Sequence, residues 1–167
     1  MEYSTLDKLG VRVSRLGFGC MRFPLTAEGK IDEPRAAAML DTAYKAGVTY
    51  YDTAYFYHQH TGEAFLGRAM KRYPRDTFYL ATKMPMSIVE SLDHAKEIFE
   101  GQLAALQTDY VDFYLLHGVN GERWKQAQEM GIVDFLLKMQ KAGRIRHFGF
   151  SFHGSYEEFE TILTARD

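Results

Sequence analysis

The 167-residue chain has one cysteine, Cys20, one tryptophan, Trp124, and four prolines. A single cysteine excludes an internal disulfide framework, so an apolar core must hold the fold. No apolar run approaches the roughly 18 residues of a membrane-spanning helix. Acidic and basic residues nearly cancel, leaving a net charge of −2. That balance removes the electrostatic basis for binding nucleic acid or an anionic membrane. The one basic stretch, "KAGRIRH" at 141–147, reads as a solvated helix end and loop. The opening "MEYSTLDKLG" lacks a basic-then-apolar leader pattern. With the lone thiol, this gives the expectation of a cytoplasmic protein. No linker or low-complexity tract divides the chain, which is long enough for one domain with a sizeable core.

What the chain does have is alternation. Short apolar runs, read as strands, fall at 14–20, 48–54, 77–83, 109–118 and 145–151. Amphipathic stretches, read as helices, follow at 32–47, 62–73, 91–107, 122–143 and 155–167. In the first, Asp32 is the expected N-cap, Pro34 sits in the first turn and Gly47 closes the end. Ala36, Leu40, Ala43 and Tyr44 share one of its faces. Leu92, Ala95, Phe99, Leu103 and Leu106 do the same in the third, and Gly131 breaks the fourth in two. Five strand–helix units of roughly 30 residues predict a parallel sheet built from right-handed crossovers. A doubly wound sheet would want a third glycine and a helix start after "LGFGCMRFP", and neither is present. A (β/α) barrel is the better fit.

In such a barrel, chemistry gathers at the carboxyl ends of the strands. Those ends carry Gly19-Cys20-Met21, Asp52, Lys83, His117 and Ser151, with Tyr57 in the loop beyond Asp52. Taken singly, each has an ordinary explanation: a lysine snorkels to water, a histidine satisfies a backbone group, an aspartate caps a turn. Together on one rim they complement one another. A free phenol has a pKa of about 10. A neighbouring ammonium favours its ionised form. Asp52 would anchor Lys83, Lys83 would assist Tyr57 as a general acid, and His117 would polarise a carbonyl oxygen. Cys20 reads as a small buried apolar residue, and Trp124 as a possible wall of the substrate site. Tyr55 and Phe56 are placed to line a pocket, while Tyr50 and Tyr51 read as core. Asp109 and Asp112 read as capping and solubilising residues.

The motifs "LGFGCMRFP", "GVTYYDTAYFY", "FYLATKMP", "LQTDYVDFYLLH" and "GRIRHFGFS" run in register along nearly the whole chain. In this the sequence resembles the aldo-keto reductase superfamily. The resemblance implies a (β/α)8 barrel that reduces an aldehyde or ketone with NADPH, or NADH, and without a metal. It places Asp52, Tyr57, Lys83 and His117 on the catalytic tetrad. It places Gly19, Cys20, Met21 and Arg22, together with Asp52, beside the cofactor, and Ser151 at its carboxamide. "YHQHTGE" and "GFSFHG" are most similar to a bacterial and archaeal branch whose longer members carry an iron–sulfur region. One cysteine cannot hold such a cluster alone.

Two departures stand out. Phe152 replaces the asparagine usual after the carboxamide serine. A whole barrel takes about 250 residues, and this chain offers only five units. The expectation is therefore that residues 1–167 form the N-terminal part of one barrel domain, a fragment that self-associates or pairs with a missing C-terminal half. The alternatives are a non-catalytic binding or regulatory protein on a reductase scaffold, and a metal-dependent hydrolase. For the latter, His58 and His60 have H-x-H spacing, with Glu63, His117 and His153 as further ligands.

Overall fold

The computed structural model describes residues 1–165. A hairpin comes first, β1 (Tyr3–Leu6) with β2 (Val11–Ser14). Then strands and helices alternate: β3 (Phe18–Gly19), α1 (Glu33–Lys45), β4 (Tyr50–Asp52), α2 (Gly62–Met70), β5 (Tyr79–Met84) and α3 (Leu92–Leu106). β6 (Val111–Val119), α4 (Gly121–Glu129), α5 (Ile132–Lys141), β7 (Ile145–Phe152) and α6 (Tyr156–Thr164) complete the order. Strands β3 to β7 form one parallel sheet in chain order. This is the expected partial (β/α) barrel of five units, with helices on one face. No helix among the described residues is long and apolar enough to cross a membrane.

The helices form where the sequence predicts. Asp32 accepts a hydrogen bond from Arg35 N and caps α1, whose Ala36 and Leu40 are buried. Gly131, at φ +72°, separates α4 from α5. Gly67 on α2 lies against the end of α3, where a Cβ would stand 2.5 Å from the Ala105 carbonyl oxygen. Only glycine lets the two helices approach this closely. The last two residues of the helix expected at 155–167 lie outside the described residues.

The first expected strand is corrected. Residues 14–20 are not one strand: Ser14 ends the hairpin, and only Phe18 and Gly19 join the sheet. Ser14 is instead tied to the entrance of β4. Its N donates to Thr49 Oγ1 at 2.8 Å, and Thr49 N donates to Ser14 Oγ at 2.9 Å. The hairpin packs Val11 and Val13 against Ala81, Phe113, Tyr50 and Tyr79. It thereby plugs one end of the sheet's inner face, while the main core lies between sheet and helices.

Asp112 is also corrected. It is fully buried, not a surface residue. Its carboxylate accepts from Arg75 at 2.7 Å, from Arg146 at 2.9 Å and from Leu80 N at 2.9 Å. Both guanidinium groups also lie over the Tyr110 ring, at 4.2 and 4.3 Å. The basic stretch at 141–147 thus supplies a structural anchor through Arg146. Removing the carboxylate takes the anion from two guanidinium groups and leaves the buried Leu80 amide without its acceptor. Asp112→Ala is expected to lower unfolding free energy by about 3 kcal/mol in urea denaturation. A loss below about 1 kcal/mol would mean that water replaces the carboxylate freely.

Candidate active site

Period-two alternation decides which side chains face inward. Register pairs Asp52 with Ala81, Ala81 with Phe113, and Phe113 with His147. One layer up, Lys83 pairs with Leu115 and Leu115 with Gly149. The inner face is therefore apolar over the hairpin plug and turns polar toward the carboxyl ends. Asp52, Lys83 and His117 stand at that end, as the sequence predicts.

Lys83 is the centre. Its side chain is only 7% exposed. Its three ammonium protons meet three acceptors: Asp52 Oδ1 at 2.6 Å, the Thr53 carbonyl at 2.8 Å and Tyr57 Oη at 3.5 Å. An ammonium can only donate, so Tyr57 Oη accepts here. The phenolic proton is left to point elsewhere.

Tyr57 is delivered by an unusual loop. His58, Gln59 and His60 all adopt left-handed backbone, at φ +53°, +54° and +68°. Each such non-glycine residue costs about 1 kcal/mol. The loop is tied down nonetheless. Thr61 Oγ1 donates to the His58 carbonyl at 2.6 Å, and Gly62 N to the Tyr57 carbonyl at 3.1 Å. His58 Nε2 lies 3.0 Å from the Cys20 carbonyl and 3.3 Å from Phe23 N. It therefore staples the Cys20–Arg22 turn to the Tyr57 loop.

His117 is aimed by a bulge. The pairing of β6 with β7 shifts register between Leu116 and Val119, and Gly118 sits at φ +60°. Arg123 Nη1 donates to the Gly118 carbonyl at 2.7 Å and holds the bulge shut. His117 Nδ1 is buried with no hydrogen-bond partner among the described residues. A buried N–H without an acceptor is the costlier state, so we assign the proton to Nε2, toward the cleft. Burial, and then the Lys83 charge, hold the imidazole below its ordinary pKa, against the pull of Asp52.

Met21, Phe56, Tyr57, His58, His117 and His153 line one open cleft of about 520 Å³. Gly19 is exposed with open space beside it, and Met21 and Arg22 are exposed. Ser151 Oγ accepts from Gly118 N at 2.8 Å, which leaves its own proton to donate. Cys20 is turned inward and fully buried, and burial pushes its thiol pKa up. Trp124 packs in the core rather than walling the cleft, while Phe56 does line it. The H-x-H pair diverges: His58 meets the Cys20–Phe23 turn, and His60 meets the rings of Tyr55 and Phe56. Among the described residues no cluster of three metal-ligating side chains forms. Sequence reasoning missed the Thr53 carbonyl, Arg123 and the His58 staple. A main-chain acceptor leaves no sequence signal, but Gly118 after His117 did mark the bulge.

Comparison with known proteins places the fold and the family. The Aldo/keto reductase family matches residues 15–166. The aldo-keto reductase YhdN of Bacillus subtilis is 30% identical over 97% of this chain and 50% of its own length. The probable aldo-keto reductase 1 of Glycine max is 29% identical over 87% of this chain and 43% of its own. The holo form of aldo-keto reductase AKR11C1 from Bacillus halodurans superposes with a TM-score of 0.78 at 31% identity, over 98% of this chain and 54% of its own. An aldo-keto reductase of Klebsiella pneumoniae, solved in complex with NADPH, gives a TM-score of 0.73 at 25% identity, over 98% of this chain and 54% of its own. The chain thus spans about half the length of the curated relatives it matches. Fold and sequence agree, and the chain belongs to the aldo/keto reductase family.

Proposed function

We propose that the chain is the acid–base half of an NADPH-dependent reductase (NADH serving the same role in principle) acting on a small aldehyde or ketone. The observation that carries this reading is the triple coordination of Lys83 by Asp52, Thr53 and Tyr57. The cofactor, when bound, supplies the hydride. This chain's residues supply everything the carbonyl oxygen needs. His117 Nε2–H donates to that oxygen and orients it in the cleft. Tyr57 donates its proton as the oxygen gains negative charge. Lys83 stabilises the phenolate left behind, and Asp52 keeps Lys83 in place. The 3.5 Å Lys83–Tyr57 contact is long for a hydrogen bond, and such contacts tighten when substrate binds.

The residues at the rim fit the nicotinamide end of the cofactor. Gly19 offers an unobstructed backbone and Ser151 a free hydroxyl proton. Met21 lines the cleft, Arg22 is exposed beside it, Asp52 ends the neighbouring strand, and the buried Cys20 offers backbone only. We read residues 1–167 as the N-terminal portion of one barrel domain. Its remaining strands come from further sequence or from another chain, by self-association or by pairing along β7. No nucleic acid, membrane or metal partner enters this reading, and the buried, unpaired Cys20 suits a cytoplasmic setting.

Three measurements test it. In the protein with a complete barrel, Tyr57→Phe is expected to lower turnover by about 10²- to 10⁴-fold while cofactor affinity stays within a few-fold. Turnover close to the parent's would remove Tyr57 from the acid role. Fluorescence titration of NADPH into the 167-residue chain alone should show no saturation below about 1 mM. Saturation at micromolar cofactor would mean that association of chains completes the site. His117 should titrate below about 6.5 by NMR. Its folded pKa is depressed, so its contribution to stability is present above the unfolded value and is lost as pH falls through the folded one. A midpoint at or above the ordinary value would overturn the assignment of a neutral, burial-shifted donor.

A further inference from the structure

A second polar cluster lies directly behind the active rim, on the helix-facing side of β5. Glu63, on the first turn of α2, is 5% exposed, Thr82 and Tyr114 are fully buried, and Gln102 on α3 is 1% exposed. One carboxylate oxygen, Glu63 Oε1, accepts from Thr82 Oγ1 at 2.5 Å and from Gln102 Nε2 at 2.7 Å. Gln102 Nε2 also reaches the main-chain carbonyl of Lys83 at 3.0 Å and Thr82 Oγ1 at 3.2 Å. Gln102 Oε1 accepts from the Tyr114 hydroxyl at 2.5 Å. Adjacent residues of a strand point to opposite faces. Thr82 therefore carries the cluster, while Lys83 carries its ammonium to the other side.

A buried carboxyl is a costly choice where a neutral amide would fit. Two donors on a single oxygen favour its ionised form, and so does the Lys83 charge. Burial acts against both and is the larger effect, holding the Glu63 carboxyl above the ordinary carboxylate range. The charged or titratable groups facing it are Lys83 from β5 and the Tyr114 phenol from β6, with Asp52 of β4 beyond Lys83. Helix α3 contributes only the neutral Gln102.

We propose that Glu63 is a positioning residue for the reaction, a buried carboxyl that acts on Lys83 from behind the sheet. Through Gln102 it fixes the main chain of Lys83. When ionised, it adds through space to the hold that Asp52 has on the ammonium from the front. This rests on the reading of Lys83 as the partner of a Tyr57 acid, but the coupling is measurable without turnover. NMR titration of the chain with ¹³C-labelled Glu and Lys supplies the test. The Glu63 carboxyl is expected to titrate above about 4.3, and the Lys83 Cε signal to shift with the same midpoint. Glu63→Gln keeps the acceptor for Thr82 and Gln102 and removes the charge. It should abolish the pH-dependent step in the Lys83 Cε signal and leave the Thr82 and Lys83 amide signals in place. In the complete barrel the same variant should move the pH profile of turnover, where a purely structural role would lower activity uniformly. A Lys83 signal indifferent to Glu63 in the unaltered chain overturns the proposal. So does a folded Glu63→Gln chain in which the Lys83 Cε signal still shifts at the same pH. Should that variant not fold, the titration of the unaltered chain decides alone. If coupling is found but Tyr57→Phe retains turnover, the catalytic reading fails, and Glu63 with it as a positioning residue.

Discussion

A lysine ammonium inside a sheet is stable only where its protons each meet an acceptor and an anion stands close by. In this chain that condition dictates the arrangement of three successive strand ends. Asp52 must end β4 on the inner face, and Thr53 must turn its carbonyl toward β5. The loop beyond must then return far enough to set a phenol against the same ammonium. None of the three contacts is local in sequence, so each depends on the parallel register that places β4 beside β5. The hairpin serves the same end, since plugging the inner face with Val11 and Val13 excludes water from beneath the charged layer.

The tetrad was legible because two regularities met. Strand–helix alternation says which end of each strand faces the chemistry, and period two says which side chains face inward. The positions of Asp52, Lys83 and His117 at one rim were readable from those rules alone, and the structure brings them there. Asp112 was misread for the opposite reason. A carboxylate beside tyrosine and valine near a strand start resembles a cap, and its partners Arg75 and Arg146 lie 37 and 34 residues away. Nothing within the local sequence pairs them. The hairpin was missed because Ser14 borders an apolar run, and the reading extended the strand through it. Backbone acceptors such as the Thr53 carbonyl were beyond reach, since every residue carries one.

Strain is concentrated where it has a use. Three consecutive left-handed residues, His58 to His60, follow the Tyr57 phenol directly. Such a turn persists only when its surroundings over-determine it. Here they do: Gly62 admits the Tyr57 carbonyl, where a Cβ would stand only 3.0 Å from that oxygen. The His58 ring packs against Phe23, with centroids 5.5 Å apart, while its Nε2 holds the turn after β3. The loop that carries Tyr57 and the Cys20–Arg22 turn are thereby joined. A shift in one moves the other, so the two sides of the cleft are positioned as a unit.

The five strands are internally consistent at the rim and open at the edge. β7 pairs with β6 along most of its length, yet among the described residues it has no strand on its other side. Its Phe148, Phe150 and Phe152 are only half-buried against the core. An edge of that length and composition invites pairing. The hydrogen bonds of the Lys83 ammonium, by contrast, all run between β5 and the end of β4 with the loop beyond it. Their geometry is set by the pairing of β4 with β5 in the interior of the sheet and owes nothing to the unpaired edge of β7.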